Sequence, residues 1–121
     1  MTEQGAFHSI LRKKIDLFVH AVYAVSRTFP REELYGVTSQ FRRAALSVAL
    51  NYIEGYARTK RLVHVQFLET SYGSLKEAGY LIEFCSKENI ISSENCTALT
   101  EQADEIGKML WGTIQGLKQR A

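Results

Sequence analysis

The amino-acid sequence predicts an all-α protein that folds as an antiparallel up-down-up-down four-helix bundle. Apolar residues recur at three- and four-residue steps in four long segments, and no segment shows the strict alternation of a half-buried strand. Short connections join these segments, and short connections favour antiparallel neighbours. The chain has 121 residues, which is the size of one domain, so we expect a single domain over residues 1–121.

A proline marks the end of the first predicted helix. Apolar residues at helical spacing run through residues 6–28, and charged residues lie on the opposite face. The residue before a proline avoids the α-helical backbone conformation, so Phe29 and Pro30 are expected to end this helix. The following segment, PREELYG, is expected to form a short helical turn that Gly36 closes.

The second predicted helix begins after this turn and ends at about residue 58. Thr38 or Ser39 is expected to cap its N-terminus, because a hydroxyl oxygen can accept a hydrogen bond from a free backbone N–H group of the first turn. This helix carries both an extended apolar surface and a polar stripe.

The third and fourth predicted helices cover residues 60–87 and 93–118, and Ser92 is the expected N-cap of the fourth. Small residues in the middle of the third helix would allow a neighbouring helix to approach closely. The predicted core face of the third helix consists of Val63, Phe67, Ser71, Ser74, Leu75, Ala78, Leu81, Ile82 and Cys85.

The second helix is apolar over most of its circumference, which is more than a four-helix bundle needs from one helix. An amphipathic helix normally buries a stripe of about 100° or a little more, so a second apolar side predicts a second partner surface. The simplest partner is another copy of the chain, and we therefore predict a homo-oligomer. The predicted interface residues lie on three helices and are Leu46, Leu50, Ile53, Tyr80, Phe84 and Trp111.

A polar stripe interrupts the apolar surface of the second helix. It consists of Arg43, Ser47, Asn51 and Glu54, with Arg58 one turn further on. Residues three and four apart are neighbours on a helix, so the first three side chains can contact one another and the last two can form an ion pair. Two interpretations stay open. The stripe is either a buried hydrogen-bonded seam that fixes the register of the helices, or a binding groove.

Positive charge is concentrated in the first half of the chain. The net charge is only +2, but residues 1–61 contain ten Lys or Arg against five Asp or Glu. These basic residues could bind nucleic acid, or the two halves could pair with each other within or between chains. The candidate phosphate contacts are Arg12, Lys13, Lys14, Arg58, Lys60 and Arg61.

The sequence contains no signature of catalysis or metal binding. A di-metal bundle needs Glu-x-x-His pairs, and none of the three histidines has a glutamate three residues before it. The HExxH motif, the glycine-rich phosphate loop and the nucleophile elbow are also absent. We therefore predict that the protein is not an enzyme and uses no metal and no cofactor. His64 is expected to be a satisfied interior or rim histidine.

The expected location is the cytoplasm. The N-terminus, MTEQGAFHSILRKKID, lacks the basic-then-apolar order of a secretory signal. No uncharged run approaches the roughly 18 apolar residues of a membrane span, so no membrane partner is expected. Cys85 and Cys96 lie among apolar residues without a CxxC pattern and are expected to be reduced packing residues.

Four segments resemble a known family over nearly the whole chain. They are FPREELYGVTSQFRRAALSV, NYIEGYAR, QFLETSYGSLKEA and EIGKMLWGTIQGLK. They are similar to segments of the small four-helix-bundle proteins encoded in intervening sequences of bacterial large-subunit ribosomal RNA genes. This family often has a proline where the chain has Ala49 and a second glycine where it has Ala57. The second helix is therefore expected to be straighter here than in its relatives.

The resemblance implies an antiparallel four-helix bundle that assembles into a ring, commonly a pentamer. It also implies similarity to the accessory variability determinant of diversity-generating retroelements, a basic ring that engages nucleic acid and a reverse transcriptase. A ring needs two different surfaces on each chain, which agrees with the two-sided second helix. We therefore expect a ring that binds RNA or DNA. The alternative is a scaffold or accessory subunit for a partner protein encoded nearby.

Overall fold

The computed structural model describes residues 2–120 and contains four α-helices. They are α1 (Glu3–Ser26), α2 (Val37–Tyr56), α3 (Arg61–Lys87) and α4 (Ser93–Lys118), and a short 3-10 helix, Arg31–Glu33, lies between α1 and α2. The described residues contain no strand. The prediction of an all-α fold with four helices is confirmed.

The four helices surround one core. Each helix packs against its neighbours along the chain, and α4 packs against α1. Over residues 2–120, no Cα atom of α1 lies within 8 Å of one in α3, and the same holds for α2 and α4. The central core contains large, fully buried side chains, among them Phe18, Phe41, Tyr52, Leu68 and Ile106. This is the packing of a bundle. None of the described helices is long and apolar enough to cross a membrane.

Helix α1 begins earlier than the sequence predicts. The hydroxyl of Thr2 accepts a hydrogen bond from the backbone N–H of Gly5 at 2.9 Å, so Thr2 is the N-cap. Glu3 follows in the first turn, where its negative charge interacts favourably with the free N–H groups of the helix end. The apolar pattern starts only after this turn, so the start of α1 predicted from that pattern is a few residues too late.

The prediction that Thr38 or Ser39 caps α2 is wrong. Helix α2 begins at Val37, and its N-cap is Gly36. The carboxylate of Glu33 accepts a hydrogen bond from the backbone N–H of Val37 at 3.4 Å and supplies the capping interaction from the preceding turn. Both hydroxyl residues therefore lie inside the helix.

The connection between α3 and α4 is set by local hydrogen bonds. Asn89 has a φ of 58°, and the backbone N–H of Ile90 bonds the carbonyl oxygen of Cys85 at 2.8 Å. Helices commonly end with a residue in the left-handed conformation and a hydrogen bond back to the last turn. Asparagine is suited to this position because it adopts the left-handed conformation more readily than most residues. Ser92 then caps α4 by accepting from the backbone N–H of Asn95, as predicted.

The first turns of α3 are rotated relative to the predicted core face. Val65 and Leu68 are buried, whereas Val63 and Phe67 are only half-buried. The Cβ atom of Phe67 lies against α2 at Gly55, so its side chain covers the groove between the two helices instead of entering the core. From Ser71 onward the buried positions follow the prediction closely.

Small residues bring α2 and α3 together, as the sequence predicts. Ser71 Oγ donates a hydrogen bond to the carbonyl oxygen of Val48 at 2.7 Å. The hydroxyl oxygens of Ser47 and Ser74 are also 2.7 Å apart. At Gly55, a Cβ atom would lie 3.2 Å from Phe67 Cβ and 3.3 Å from the carbonyl oxygen of His64, so only glycine fits without displacement.

We therefore expect Gly55→Leu to lower the thermal midpoint of unfolding, because an added side chain must push α3 away from α2. Overpacking of this kind costs about 1–3 kcal/mol. The matched control is Gly79→Leu, since a Cβ atom at Gly79 of α3 meets nothing within 4 Å. Thermal unfolding followed by circular dichroism measures both variants. Equal midpoints for the two variants would contradict the close helix contact.

Candidate functional site

The polar stripe on α2 follows the groove between α2 and α3. Asn51 Nδ2 donates to the carbonyl oxygen and to the hydroxyl of Ser47, at 2.9 Å and 3.0 Å. The Ser47 hydroxyl in turn contacts Ser74 of α3. Arg43 does not join this line, because it is exposed and lies 3.4 Å from the carboxylate of Glu77. The centre of the stripe is therefore half-buried and hydrogen-bonded across the two helices.

The end of the stripe holds an arginine against α3. Arg58 forms an ion pair with Glu54, and both side chains are 44% exposed. The guanidinium carbon of Arg58 lies 5.2 Å from the centroid of the Phe67 ring, which is a cation–π geometry. Arg58 is therefore held in place, and Glu54 partly neutralises its charge.

The three basic residues on α1 point to two sides of that helix. Lys14 forms an ion pair with Glu105 of α4. Arg12 and Lys13 instead line a groove of about 430 Å³ between α1 and α2, together with Tyr52. The structure thus separates Lys14 from the other candidate phosphate contacts.

The connection from α2 to α3 carries the second basic group. Lys60 is exposed and directly precedes α3. Arg61 donates a hydrogen bond to the carbonyl oxygen of Arg120, at the end of the described chain. With Arg58, these residues place four positive side chains around one end of the bundle.

All six predicted interface residues are exposed on the single chain. Leu46 and Leu50 line a groove of about 660 Å³ that continues to Leu34 and Tyr35 in the connection before α2. Tyr35 is 94% exposed and Leu50 is 62% exposed. The full set of exposed predicted residues is Leu46, Leu50, Ile53, Tyr80, Phe84 and Trp111.

Trp111 lies on a different side of the bundle from the α2 residues. Its ring packs beside Tyr72 of α3, with ring centroids 5.4 Å apart. Trp111 therefore marks the side where α3 and α4 meet, and α4 does not contact α2 in the described structure. The exposed apolar residues thus form at least two separate surfaces.

An aromatic cluster that the sequence did not predict links the start of α1, the end of α2 and the start of α3. His8 of α1 stacks on Tyr56 of α2, with ring centroids 3.7 Å apart. The Tyr56 and His64 rings pack edge to face, with ring centroids 4.3 Å apart. On the other side, His8 Nδ1 is hydrogen-bonded to the hydroxyl of Tyr52. Two histidines and two tyrosines therefore form one contiguous unit.

Burial keeps this cluster uncharged at neutral pH. Burial, assisted by the positive charge of Arg12, lowers the pKa of His8 below its ordinary value of 6.5. Burial and the neighbouring His8 lower the pKa of His64 in the same direction. Burial also raises the pKa of both Tyr52 and Tyr56 above 10.0. All four rings are therefore neutral, and they offer stacking surfaces and hydrogen-bonding groups.

His64 differs from its predicted role. Its Nε2 atom is buried and has no hydrogen-bond partner among the described residues. The expectation of a satisfied histidine is therefore not met among residues 2–120. An unpaired buried nitrogen costs free energy of folding.

The described residues contain no cluster of three or more His, Cys, Asp or Glu that could hold a metal ion. Burial raises the pKa of the Cys85 thiol to about 11, so this thiol is not an activated nucleophile at neutral pH.

The lowered histidine pKa values predict a loss of stability in acid. The folded chain binds fewer protons than the unfolded chain below pH 6.5, so this contribution is complete above pH 6.5 and is lost as the pH falls. We expect the thermal midpoint to fall between pH 7.5 and pH 5, and His64→Gln to reduce that fall. His20→Gln is the matched control, because the His20 side chain is 76% exposed. The same pH dependence in the wild type, His64→Gln and His20→Gln would show that the lowered pKa of His64 does not cause the loss of stability.

Comparisons with known proteins agree with the fold. The family model described as 23S rRNA-intervening sequence protein matches residues 8–112. A solved structure from Bacteroides thetaiotaomicron VPI-5482, described as a protein with unknown function from the S23 ribosomal protein family, has a TM-score of 0.84 at 18% identity. That similarity covers 90% of this chain and 98% of the other. No curated protein matches. Because the family model matches most of the sequence, the chain belongs to the 23S rRNA-intervening sequence protein family.

Proposed function

We propose that the protein is a non-enzymatic homo-oligomer, a ring of antiparallel four-helix bundles that binds RNA or DNA. The observation that carries the proposal is the presence of separate exposed apolar surfaces, one centred on Leu50 of α2 and one on Trp111 of α4. If the first surface of each chain binds the second surface of the next, the contacts are heterologous, and they form a ring when the rotation between successive chains closes. The family resemblance favours a pentamer.

The antiparallel order of the helices is supported by contacts at both ends of α1. Arg42, near the start of α2, donates to the hydroxyl of Ser26, the last residue of α1, at 2.7 Å. His8, near the start of α1, instead contacts Tyr52 and Tyr56 at the end of α2. The four basic side chains around the α2–α3 connection therefore belong to one end of the bundle.

Assembly into a ring would combine the small positive charge of each chain. One chain has a net charge of only +2, and Glu54 partly neutralises Arg58. A ring repeats the cluster of Arg58, Lys60 and Arg61 once per subunit, so several weak phosphate contacts act together on one nucleic acid. This supports weak binding with little sequence preference.

We expect Leu50→Glu and Trp111→Glu each to prevent assembly, because each places a charge in one of the two surfaces. Sedimentation equilibrium measures the mass, and circular dichroism checks that the helices remain. An equimolar mixture of the two variants should form heterodimers, since each retains the surface that the other lacks. Leu17→Glu is the control, because Leu17 is 51% exposed on α1 outside both surfaces. A wild-type chain that stays monomeric at micromolar concentration would refute the ring.

We expect the wild-type oligomer to bind a labelled oligonucleotide at low salt and to release it as salt rises. Each neutralised phosphate on duplex DNA contributes about 0.9 to the slope of log affinity against log salt. The triple variant of Arg58, Lys60 and Arg61 to alanine should bind more weakly with a smaller slope. Fluorescence anisotropy at several salt concentrations measures both quantities.

The control for this experiment removes the same charge elsewhere. A triple alanine variant of Arg31, Lys87 and Lys108, which are exposed outside the α2–α3 connection, should bind like the wild type. An equal effect of both triple variants would indicate a general charge effect, and the cluster would then not be the site.

A protein-binding scaffold is the second candidate function. The observation that favours it is the mostly apolar groove along Leu34, Tyr35, Leu46 and Leu50, because exposed apolar grooves accept partner proteins. An intact ring that binds no nucleic acid at low salt would favour this function over the first.

A further inference from the structure

The aromatic cluster forms one wall of a cavity at the end of the bundle. The cavity has a volume of about 540 Å³ and lies between the start of α1, the start of α3 and the end of α4. Small-molecule sites typically have volumes of about 300–1,000 Å³. The lining of the cavity includes Phe7, His8, Tyr56, His64, Gly112, Gly116 and Arg120.

We propose that this cavity binds one nucleotide unit, a planar base that carries a phosphate group. The inference rests on the proposed function and makes it more specific, since a cavity of this size can accept a base only if that base is unpaired. The unit can belong to a single strand of nucleic acid or be a free mononucleotide, and the experiment below distinguishes these two sources.

The aromatic wall supplies the stacking surface for a base. Phe7 is 43% exposed and Tyr56 is 37% exposed, so both rings present area that the chain itself does not cover. Every base can stack on an aromatic side chain, whatever its sequence. The His64 ring packs edge to face with Tyr56 and extends this aromatic wall to the start of α3.

Two glycines keep the opposite wall open. Gly112 and Gly116 are one turn apart on α4, and a Cβ atom at either would meet no atom of the described residues within 4 Å. Glycine destabilises a helix interior relative to alanine, and packing within this chain requires glycine at neither position. The missing side chains at these two positions leave room for a flat molecule, although Thr113 and Leu117 of α4 also line the cavity.

The rim of the cavity is suited to a phosphate. Arg120 lines the cavity, and the Arg61 side chain donates a hydrogen bond to the Arg120 carbonyl oxygen, so both arginines lie at this end of the bundle. Guanidinium groups bind phosphate through paired N–H donors. None of the described lining residues is Asp or Glu, so no carboxylate among them opposes an anion.

The first test uses the wild-type protein and adenosine 5′-monophosphate. The chain has three histidines, of which His8 and His64 line the cavity and His20 does not. We expect titration with the nucleotide to shift the ring NMR signals of His8 and His64 and to leave that of His20 unchanged. Unmoved signals of His8 and His64 at millimolar nucleotide, and with a short oligoadenylate, would overturn the proposal.

The second test fills the cavity. Gly116→Leu should weaken binding of single-stranded oligoadenylate about tenfold, which is the size of one base-stacking contact, and should leave duplex binding unchanged. Gly79→Leu makes the same substitution outside the cavity and should bind like the wild type. Gly112→Leu is a second cavity-filling variant, for use if Gly116→Leu does not fold. Fluorescence anisotropy measures the affinities.

The outcomes separate this inference from the proposed function. Equal single-strand binding by Gly116→Leu and wild type overturns the cavity and leaves nucleic-acid binding in place. Nucleotide-induced shifts of His8 and His64 without any oligonucleotide binding refute the proposed function and identify a free mononucleotide as the ligand. Loss of the oligomer in Gly116→Leu, measured by sedimentation, also overturns the proposal and assigns the glycines to a subunit contact.

Discussion

The close contact between α2 and α3 is the constraint on which the rest of the molecule depends. Gly55 and the serines at positions 47, 71 and 74 let the two backbones approach, and each serine hydroxyl forms a hydrogen bond in the contact. Such bonds are satisfied in only one register, because a shift of one residue would leave buried hydroxyl groups unpaired. This register places Arg58 over Phe67 and Tyr56 beside His64, so the position of the candidate site follows from it.

The helices themselves could be predicted from the sequence, but their ends only in part. Periodic apolar residues identify a helix because its packing against the core stabilises it. The ends depend on single hydrogen bonds, for which several residues compete. Thr38 fits the rule for an N-cap, yet Glu33 supplies the bond from the preceding turn. At the start of α1, Thr2 acts before any apolar periodicity begins, whereas Ser92 was predictable because it directly precedes α4.

The candidate site, like the helices, could be predicted from the sequence only in part. The exposed apolar residues of α2 could be predicted, because a surplus of apolar surface on one helix is visible in its own sequence. The aromatic cluster could not, since His8, Tyr56 and His64 come from three helices and each fits a structural role in its own helix. One signal was present: in a bundle joined by short connections, the start of α1, the end of α2 and the start of α3 meet. This connectivity, together with the positions of His8 and His64 near the starts of their helices, predicts that the two histidines lie close to each other.

The proposed assembly and the proposed ligand binding would use different surfaces of this small chain. Leu50 points away from the bundle along α2, where a partner can cover apolar area without touching the core. The cavity instead lies at one end, where helix ends and connections leave backbone and side chains incompletely packed. There, neutral histidines lie close to arginines, and their neutrality avoids adding further positive charge that would repel those arginines. A neutral aromatic wall beside a basic rim can receive a base and its phosphate separately, which is why the end of the bundle is better suited to a nucleotide than the apolar face of α2.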